Sequence, residues 1–168
     1  MLLPVSALLR RADTAAVIVS ALAAKATSRV GFRRIATDVA RPAETVRGWL
    51  RRFAERVEAV RSVFTVWLCA VDADPVMPDA GGGGFVDAVV AIGALAAAIG
   101  RRFSLPTVSL AETAVAVSGG RLLAPGWPGE WVQHEVDPAL TADWAVILCA
   151  VVCSRDTKRK GAAGGGRR

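Results

Sequence analysis

The chain has 168 residues with 53% hydrophobic residues and a net charge of +6, which suits one domain, or one small domain with an appendage, and excludes wholesale disorder. Its three cysteines are too few and too irregularly spaced for a disulfide framework, so a reducing cytoplasm is the expected compartment. The apolar runs are shorter than a membrane span, and the N-terminal positive charges follow the apolar run instead of preceding it as in a signal peptide, so we expect a soluble protein with no membrane partner.

The first predicted helix runs from about Asp13 to Ala26. Asp13 is a good N-cap residue. Apolar residues recur behind it at helical spacing, namely Ala16, Val19, Leu22, Ala23 and Ala26. The segment Ser28–Gly31 interrupts this pattern. A short helix is predicted from Phe32 to Val39, and a longer one begins at Pro42, because proline is favoured at the first position of a helix.

Two heptad seams follow, with apolar residues at alternating steps of four and three. The first predicts one helix from Pro42 to about Val71, with the seam Val46, Leu50, Phe53, Val57, Val60, Phe64, Trp67 and Val71. Asp72–Gly84 has the composition of a linker. The second seam consists of Phe85, Val89, Ile92, Ala96, Ile99 and Phe103. Equal periods joined by a flexible linker favour an antiparallel helical hairpin, and a dimer making the same contacts between chains is the alternative.

Beyond the second seam, Ser109–Glu112 has the capping-box pattern that opens a short helix, which should end at Gly119-Gly120. Asp143–Cys153 is predicted to form one more helix or a buried strand, and the basic, glycine-rich end is predicted to be disordered. The expected fold class is all-α. Its parts are a three-helix, homeodomain-like helix-turn-helix unit with an extended last helix over 1–71, a linker over 72–84, a helical hairpin or dimerisation region over 85–123, and an unassigned segment with the basic tail over 124–168.

The motif with the clearest functional meaning is FRRIATDVARPAETVRGWLRRF, residues 32–53, which has the pattern of a helix-turn-helix. One face of its first helix and the inner face of its second are apolar, through Ile35, Ala36, Val39, Val46, Trp49 and Leu50. The small side chain of Ala36 lets the two helices approach closely. Residues 40–42 supply the turn, without the glycine often found there.

Charge supports a polyanionic partner for the front half of the chain. Residues 1–61 hold 12 Lys/Arg and 5 Asp/Glu, residues 62–153 hold 3 and 9, and residues 154–168 hold 6 and 1. A basic front half beside an acidic middle indicates nucleic acid, and a generally arginine-rich surface is the alternative.

The outward face of the second helix is predicted to enter the major groove of double-stranded DNA. Arg47 and Arg51 lie one turn apart and are the expected base-reading residues. Gly48 disfavours a helix, and close approach to DNA is one reason to tolerate it. The expected phosphate contacts are Arg33, Arg34 and Arg52. The remaining candidate DNA-binding residues are Ala43, Glu44 and Thr45, whose hydroxyl has either a phosphate or a nearby carbonyl as its partner.

No catalytic residue, metal or cofactor is expected, so the protein is predicted not to be an enzyme. Cys69, His134, Cys149 and Cys153 lack the ligand spacing of structural zinc sites, and buried structural cysteines are the default. A magnesium cluster is also not expected, since most candidate acids lie in the linker; they are Asp72, Asp74, Asp79, Asp87 and Glu112. Gly81–Gly84 lacks the Gly-Lys-Ser/Thr sequence of a phosphate loop.

Three runs of sequence carry a family resemblance: LLPVSALLRRADTAAVIVSALAAKA, GFRRIATDVARPAETVRGWLRRFAERVEAVR and SGGRLL. Together they resemble a bacterial family of unknown function whose members carry a helix-turn-helix and occur with integrase-type transposases of insertion sequences. The resemblance spans about residues 1–123 and is strongest over Gly31–Arg61. It implies a mobile-element accessory or regulatory protein, associated with the nucleoid, with an integrase or transposase as a further partner.

Members of that family usually begin with a cysteine-rich zinc ribbon before the equivalent of residues 2–4, and this sequence lacks those cysteines. The resemblance therefore implies a truncated copy, or one whose start was placed too late. Two alternatives to the accessory role stay open. One is a transcriptional repressor that binds a palindrome as a homodimer. The other is a non-functional remnant of a transposon-associated gene.

Overall fold

The computed structural model describes residues 14–28, 30–79 and 81–128, which form six helices and contain no β-strand. These are α1 (Ala15–Ser28), α2 (Phe32–Asp38), α3 (Ala43–Ala54), α4 (Val57–Val71), α5 (Gly84–Arg102) and α6 (Leu110–Ser118). The all-α prediction is confirmed for this part of the chain. The predicted N-cap Asp13, the segment Asp143–Cys153 and the basic tail lie outside it.

Helices α1, α2 and α3 pack on one another around a shared apolar core. The largest buried side chains of this core are Ile18, Leu22, Ile35, Trp49 and Phe53. The predicted inward stripe of α1 is wrong in part, since Ala16 is exposed while Ile18 is fully buried. Nearly all of α1 is apolar, so its periodicity is weak, and burying an isoleucine removes more apolar area from water than burying an alanine.

The turn between α2 and α3 is built without a glycine. Ala40 adopts a φ of 51°, in the left-handed region. Its N–H donates to the Thr37 carbonyl at 3.1 Å, and the Arg41 N–H donates to the Ala36 carbonyl at 2.9 Å. This pair of hydrogen bonds is the Schellman arrangement that commonly ends a helix, usually with glycine in the left-handed position. Pro42 then serves as the N-cap of α3, one residue before the helix that it was predicted to begin.

The prediction of one continuous helix from Pro42 to Val71 is wrong, because the chain bends between Ala54 and Val57. The Arg56 N–H bonds to the Phe53 carbonyl, and Arg56 has a non-helical φ of −130°. Its guanidinium donates to the Arg52 carbonyl at 2.9 Å, which satisfies one of the last carbonyls of α3. The bend accompanies a change of main packing partner, since α3 packs mainly on α1 and α2 while α4 packs on α5.

The predicted antiparallel hairpin is also wrong, because α4 and α5 pack side by side in parallel. At their N-terminal ends, a Cβ on Gly84 would lie 3.1 Å from a methyl group of Val57. At their C-terminal ends, Arg102 Nη1 donates to the Val71 carbonyl at 2.7 Å. Helix α4 is roughly 22 Å long, and the linker of 72–83 is long enough to return along it, since an extended chain spans about 3.4 Å per residue.

Parallel packing places two helix C-termini together, where their exposed carbonyls give a local negative charge. The last turn of α5 supplies the compensating cations. Besides the bond from Arg102 to α4, Arg101 forms an ion pair with Asp72 at 2.7 Å. This hydrogen bond from Arg101, aided by the Asp74 backbone N–H, holds the pKa of Asp72 below its ordinary value. At the other end, Glu58 and Asp87 lie in the first turns of α4 and α5, where acidic residues are favourable.

Helix α5 lies at the centre of the described fold, in contact with α1, α3, α4 and α6. By length and composition it is apolar enough to cross a membrane. Eight of its residues are nevertheless buried against neighbouring helices, which is also the property of a core helix.

Helix α6 packs on α1 and α5 and confirms the predicted helix boundaries. Ser109 Oγ accepts a hydrogen bond from the Ala111 N–H, and Gly119 ends the helix with a φ of 57°. After it, Leu122, Leu123 and Trp127 return to the core.

Candidate nucleic-acid interface

Helix α3 separates an apolar inner face from a polar outer face. Val46, Trp49 and Phe53 are buried in the α1–α3 core. Trp49 is only 1% exposed, which confirms its predicted place in the core and excludes it as a surface for stacking bases. On the other side of the helix, Arg47 and Arg51 point outward with 64% and 73% of their side chains exposed. The rigid inner face therefore fixes the direction in which the two arginines project.

The two exposed arginines have different neighbours. Arg47 lies 3.5 Å from Glu44, one turn earlier on α3, and its guanidinium carbon lies 5.9 Å from the centre of the Phe32 ring on α2. Arg51 instead pairs with Glu55 at 3.8 Å, toward the C-terminal end of α3. Exposed pairs of this kind contribute little to stability and exchange readily for other partners. Both arginines can therefore turn to an external anion or base edge.

Gly48 lies between these arginines, and packing among the described residues does not require a glycine there. A Cβ at this position would meet only Arg52 Nη1, at 3.8 Å, which is an ordinary van der Waals distance. The guanidinium of Arg52 lies close to the helix at this point, and the residue is partly buried. Glycine weakens a helix by about 1 kcal/mol relative to alanine, and packing among the described residues does not account for its presence here.

Helix α2 adds two exposed arginines, Arg33 and Arg34. The guanidinium carbon of Arg33 lies 5.8 Å from the centre of the Phe32 ring. Because Arg47 contacts the same ring, Arg33 and Arg47 belong to one cluster although they come from different helices. Residues 30–54, the segment that contains this cluster, carry six arginines and two acidic residues and are therefore predominantly basic.

The remaining candidates from the sequence divide into two groups. Glu44 is exposed on the same face as Arg47. Ala43 and Thr45 are partly buried, and Ala43 packs against the core, so the prediction that Ala43 faces outward is only partly right. Helices α2 and α3 pack against each other. Phe32 is not among the residues predicted from sequence. The signal that could have identified it is its position as an aromatic residue directly before Arg33 and Arg34.

The acidic and sulfur-containing residues form no comparable cluster in 14–28, 30–79 and 81–128. No group of three or more His, Cys, Asp or Glu side chains has a metal-binding arrangement there. Cys69 is a free, exposed thiol, so the expectation of a buried structural cysteine is wrong at this position. It directly follows the buried Leu68 on α4. His134, Cys149 and Cys153 are outside the described residues.

Comparison of the chain with protein-family models, curated proteins and solved structures gives no match. The resemblance to the transposase-associated helix-turn-helix family therefore stays a prediction from the quoted runs of sequence.

Proposed function

We propose that residues 15–54 are a helix-turn-helix unit that binds double-stranded DNA, with α3 as the recognition helix. The observation that carries this proposal is the outer face of α3. It presents Arg47 and Arg51 around a glycine that packing among residues 14–28, 30–79 and 81–128 does not need. A helix in the major groove needs long donors at one-turn spacing and a close approach of its backbone to the bases.

In this proposal the residues have separate roles. Arg47 and Arg51 donate to base edges, for which guanine O6 and N7 are the most common acceptors of arginine. Arg33, Arg34 and Arg52 contact phosphates and set the position of the protein on the duplex. Glu44 accepts from a cytosine amino group or keeps Arg47 oriented, and Ala43 and Thr45 lie at the entrance of the helix into the groove. The protein acts without a cofactor and has no catalytic group of its own.

The proposal for the wider biological role is based on the family resemblance. The chain would serve as an accessory or regulatory protein of a mobile element, located with the nucleoid, and an integrase-type transposase would be its protein partner. Its net positive charge of +6 favours association with nucleic acid.

The test is fluorescence anisotropy of the full chain with a labelled duplex pool whose central 20 base pairs are randomised, across a salt series. Wild type is compared with Arg47→Ala/Arg51→Ala and with the matched control Arg61→Ala/Arg121→Ala, which removes two positive charges from α4 and from the loop after α6. We expect wild-type affinity to fall steeply with salt, since each neutralised phosphate contributes about −0.9 to the logarithmic slope. The α3 variant should bind at least about tenfold more weakly, from roughly 1–3 kcal/mol for each lost base contact.

The control variant should stay within about twofold of wild type. Arg61 and Arg121 lie on neither α2 nor α3, and salt screens the attraction between DNA phosphates and distant exposed charges. Equal weakening of both double variants would mean that binding depends on net charge alone. The assignment of α3 as the recognition helix would then be wrong. A wild-type chain that binds no duplex at all would reject the proposed function.

A further inference from the structure

The ring of Phe32 is the point at which the two arginine-bearing helices meet. Phe32 is the first residue of α2, and its partly buried ring packs against the core. The guanidinium carbon of Arg33 lies 5.8 Å from the centre of this ring and that of Arg47 lies 5.9 Å from it. Residues fourteen positions apart in the chain, one on each helix, therefore share a single aromatic neighbour.

Both distances fall within the range of cation–π attraction, in which the negative face of an aromatic ring attracts a guanidinium. The arginine side chain is long and has several rotatable bonds, so fixing it costs entropy when a ligand binds. An aromatic contact made before binding removes part of that cost. The exposed Glu44, 3.5 Å from Arg47, is a weak partner, so the Phe32 ring is the contact from α2 that orients this guanidinium.

The shared ring also limits the separation of the two charges. Adding the two distances to the ring centre places the guanidinium carbons no more than about 12 Å apart, which is close to the width of the major groove. One of them can reach a phosphate at the groove edge while the other reaches a base inside it. Arg51 does not belong to this arrangement, since its partner Glu55 lies toward the other end of α3.

We propose that Phe32 is a positioning residue of the DNA interface: its ring orders Arg33 and Arg47 together, so that the phosphate contact from α2 and the base contact from α3 are made in one register. This inference rests on the proposed function, and it assigns the specificity of the interface in part to a residue that touches neither bases nor phosphates.

The experiment measures duplex affinity and discrimination for Phe32→Leu, which keeps an apolar side chain but removes the ring, and for Phe32→Tyr, which keeps the ring. The matched control is Phe85→Leu, a partly buried phenylalanine near the start of α5 whose ring contacts Phe53 edge-on at 4.9 Å. Discrimination is the ratio of affinities for a duplex selected from the randomised pool and for an unselected duplex. Thermal melting of each variant reports its fold separately.

We expect Phe32→Leu to weaken binding of the selected duplex by about two- to fivefold, the range of an exposed cation–π contact, and to lower the discrimination ratio. Phe32→Tyr should restore both, and Phe85→Leu should change neither. In an Arg47→Ala background, Phe32→Leu should have a smaller effect than in wild type, because the partner through which it acts is gone. Without DNA, the ring-current shifts of the Arg33 and Arg47 side-chain protons should be present in wild type and Phe32→Tyr and lost in Phe32→Leu.

Two results would overturn the inference alone, with wild-type binding intact. One is an unchanged affinity in Phe32→Leu. The other is an equal loss in the wild-type and Arg47→Ala backgrounds, which would show that Phe32 acts through packing. Absence of duplex binding by the wild type would overturn the proposed function and this inference together, whatever the ring-current shifts show.

Discussion

Replacing Gly48 with alanine should stabilise the protein and weaken DNA binding at the same time. The Cβ of Gly48→Ala would meet only Arg52 Nη1 at 3.8 Å, so no neighbour has to move. Alanine exceeds glycine in helix propensity by about 1 kcal/mol. For a chain of this size, that gain corresponds to a rise of about 2–4 °C in Tm.

The loss of binding follows from the same methyl group. If the backbone of α3 approaches the bases at Gly48, the added group either clashes or pushes the helix outward. Overpacking a close interface by a methyl group costs about 1 kcal/mol or more, so affinity should fall at least about fivefold. Thermal melting and the anisotropy titration measure the two effects on the same preparation.

Gly93→Ala is the matched control for this substitution. Gly93 is also inside a helix, α5, and a Cβ there has nothing within 4 Å. It should raise Tm by a similar amount and leave DNA affinity unchanged. If Gly48→Ala binds DNA as tightly as Gly93→Ala does, the backbone at Gly48 does not approach DNA and the reasoning that places α3 in the groove fails at this point.

Three other substitutions test contacts that stabilise the fold. Ala40→Gly should stabilise the chain by up to about 1 kcal/mol, because glycine relieves the cost of the left-handed φ of 51°; a lower midpoint in urea unfolding would contradict this. Arg102→Ala should destabilise it by about 1 kcal/mol through loss of the bond to the Val71 carbonyl, and unchanged unfolding would mean that solvent replaces this bond freely. The pKa of Asp72 is lowered mainly by the Arg101 hydrogen bond, so the contribution of this pair is fully present above the ordinary carboxyl pKa of about 4 and is lost as the pH falls through the lowered value. In Arg101→Ala, an NMR titration should show the Asp72 pKa rising toward its ordinary value. An unchanged pKa would mean that the hydrogen bond from the Asp74 backbone N–H causes the shift.

The parts of the fold that local patterns determine were predictable from sequence. The ends of α6 follow from its capping residues Ser109 and Gly119, and the buried positions of α3 follow from the spacing of Val46, Trp49 and Leu50. Both heptad seams are buried or partly buried, as predicted. These features depend on residues a few positions apart, and the sequence carries that information directly.

The errors concern contacts between distant segments. The bend at Glu55–Arg56 contains neither proline nor glycine, so nothing local marks it. It coincides with a change of main packing partner, from α1 and α2 for α3 to α5 for α4. The heptad pattern also does not predict the direction of α5 relative to α4, since it fits parallel and antiparallel pairs equally well. At the candidate interface, the individual arginines were predictable, but their grouping around Phe32 depends on how α2 crosses α3.

The linker of residues 72–83 is longer than the return from the end of α4 to the start of α5 requires. Spanning a helix of roughly 22 Å requires about seven extended residues, and twelve are present. Asp72 is held by Arg101 at one end of this path, and Asp87 accepts hydrogen bonds from Gly81 and Gly82 at the other. Between these attachments Val76 and Met77 are exposed by 71% and 52%. Doubling the length of a flexible loop costs only about 0.6 kcal/mol, so this middle stretch is where an epitope or fluorophore peptide can be inserted into the chain while the α4–α5 pair stays intact.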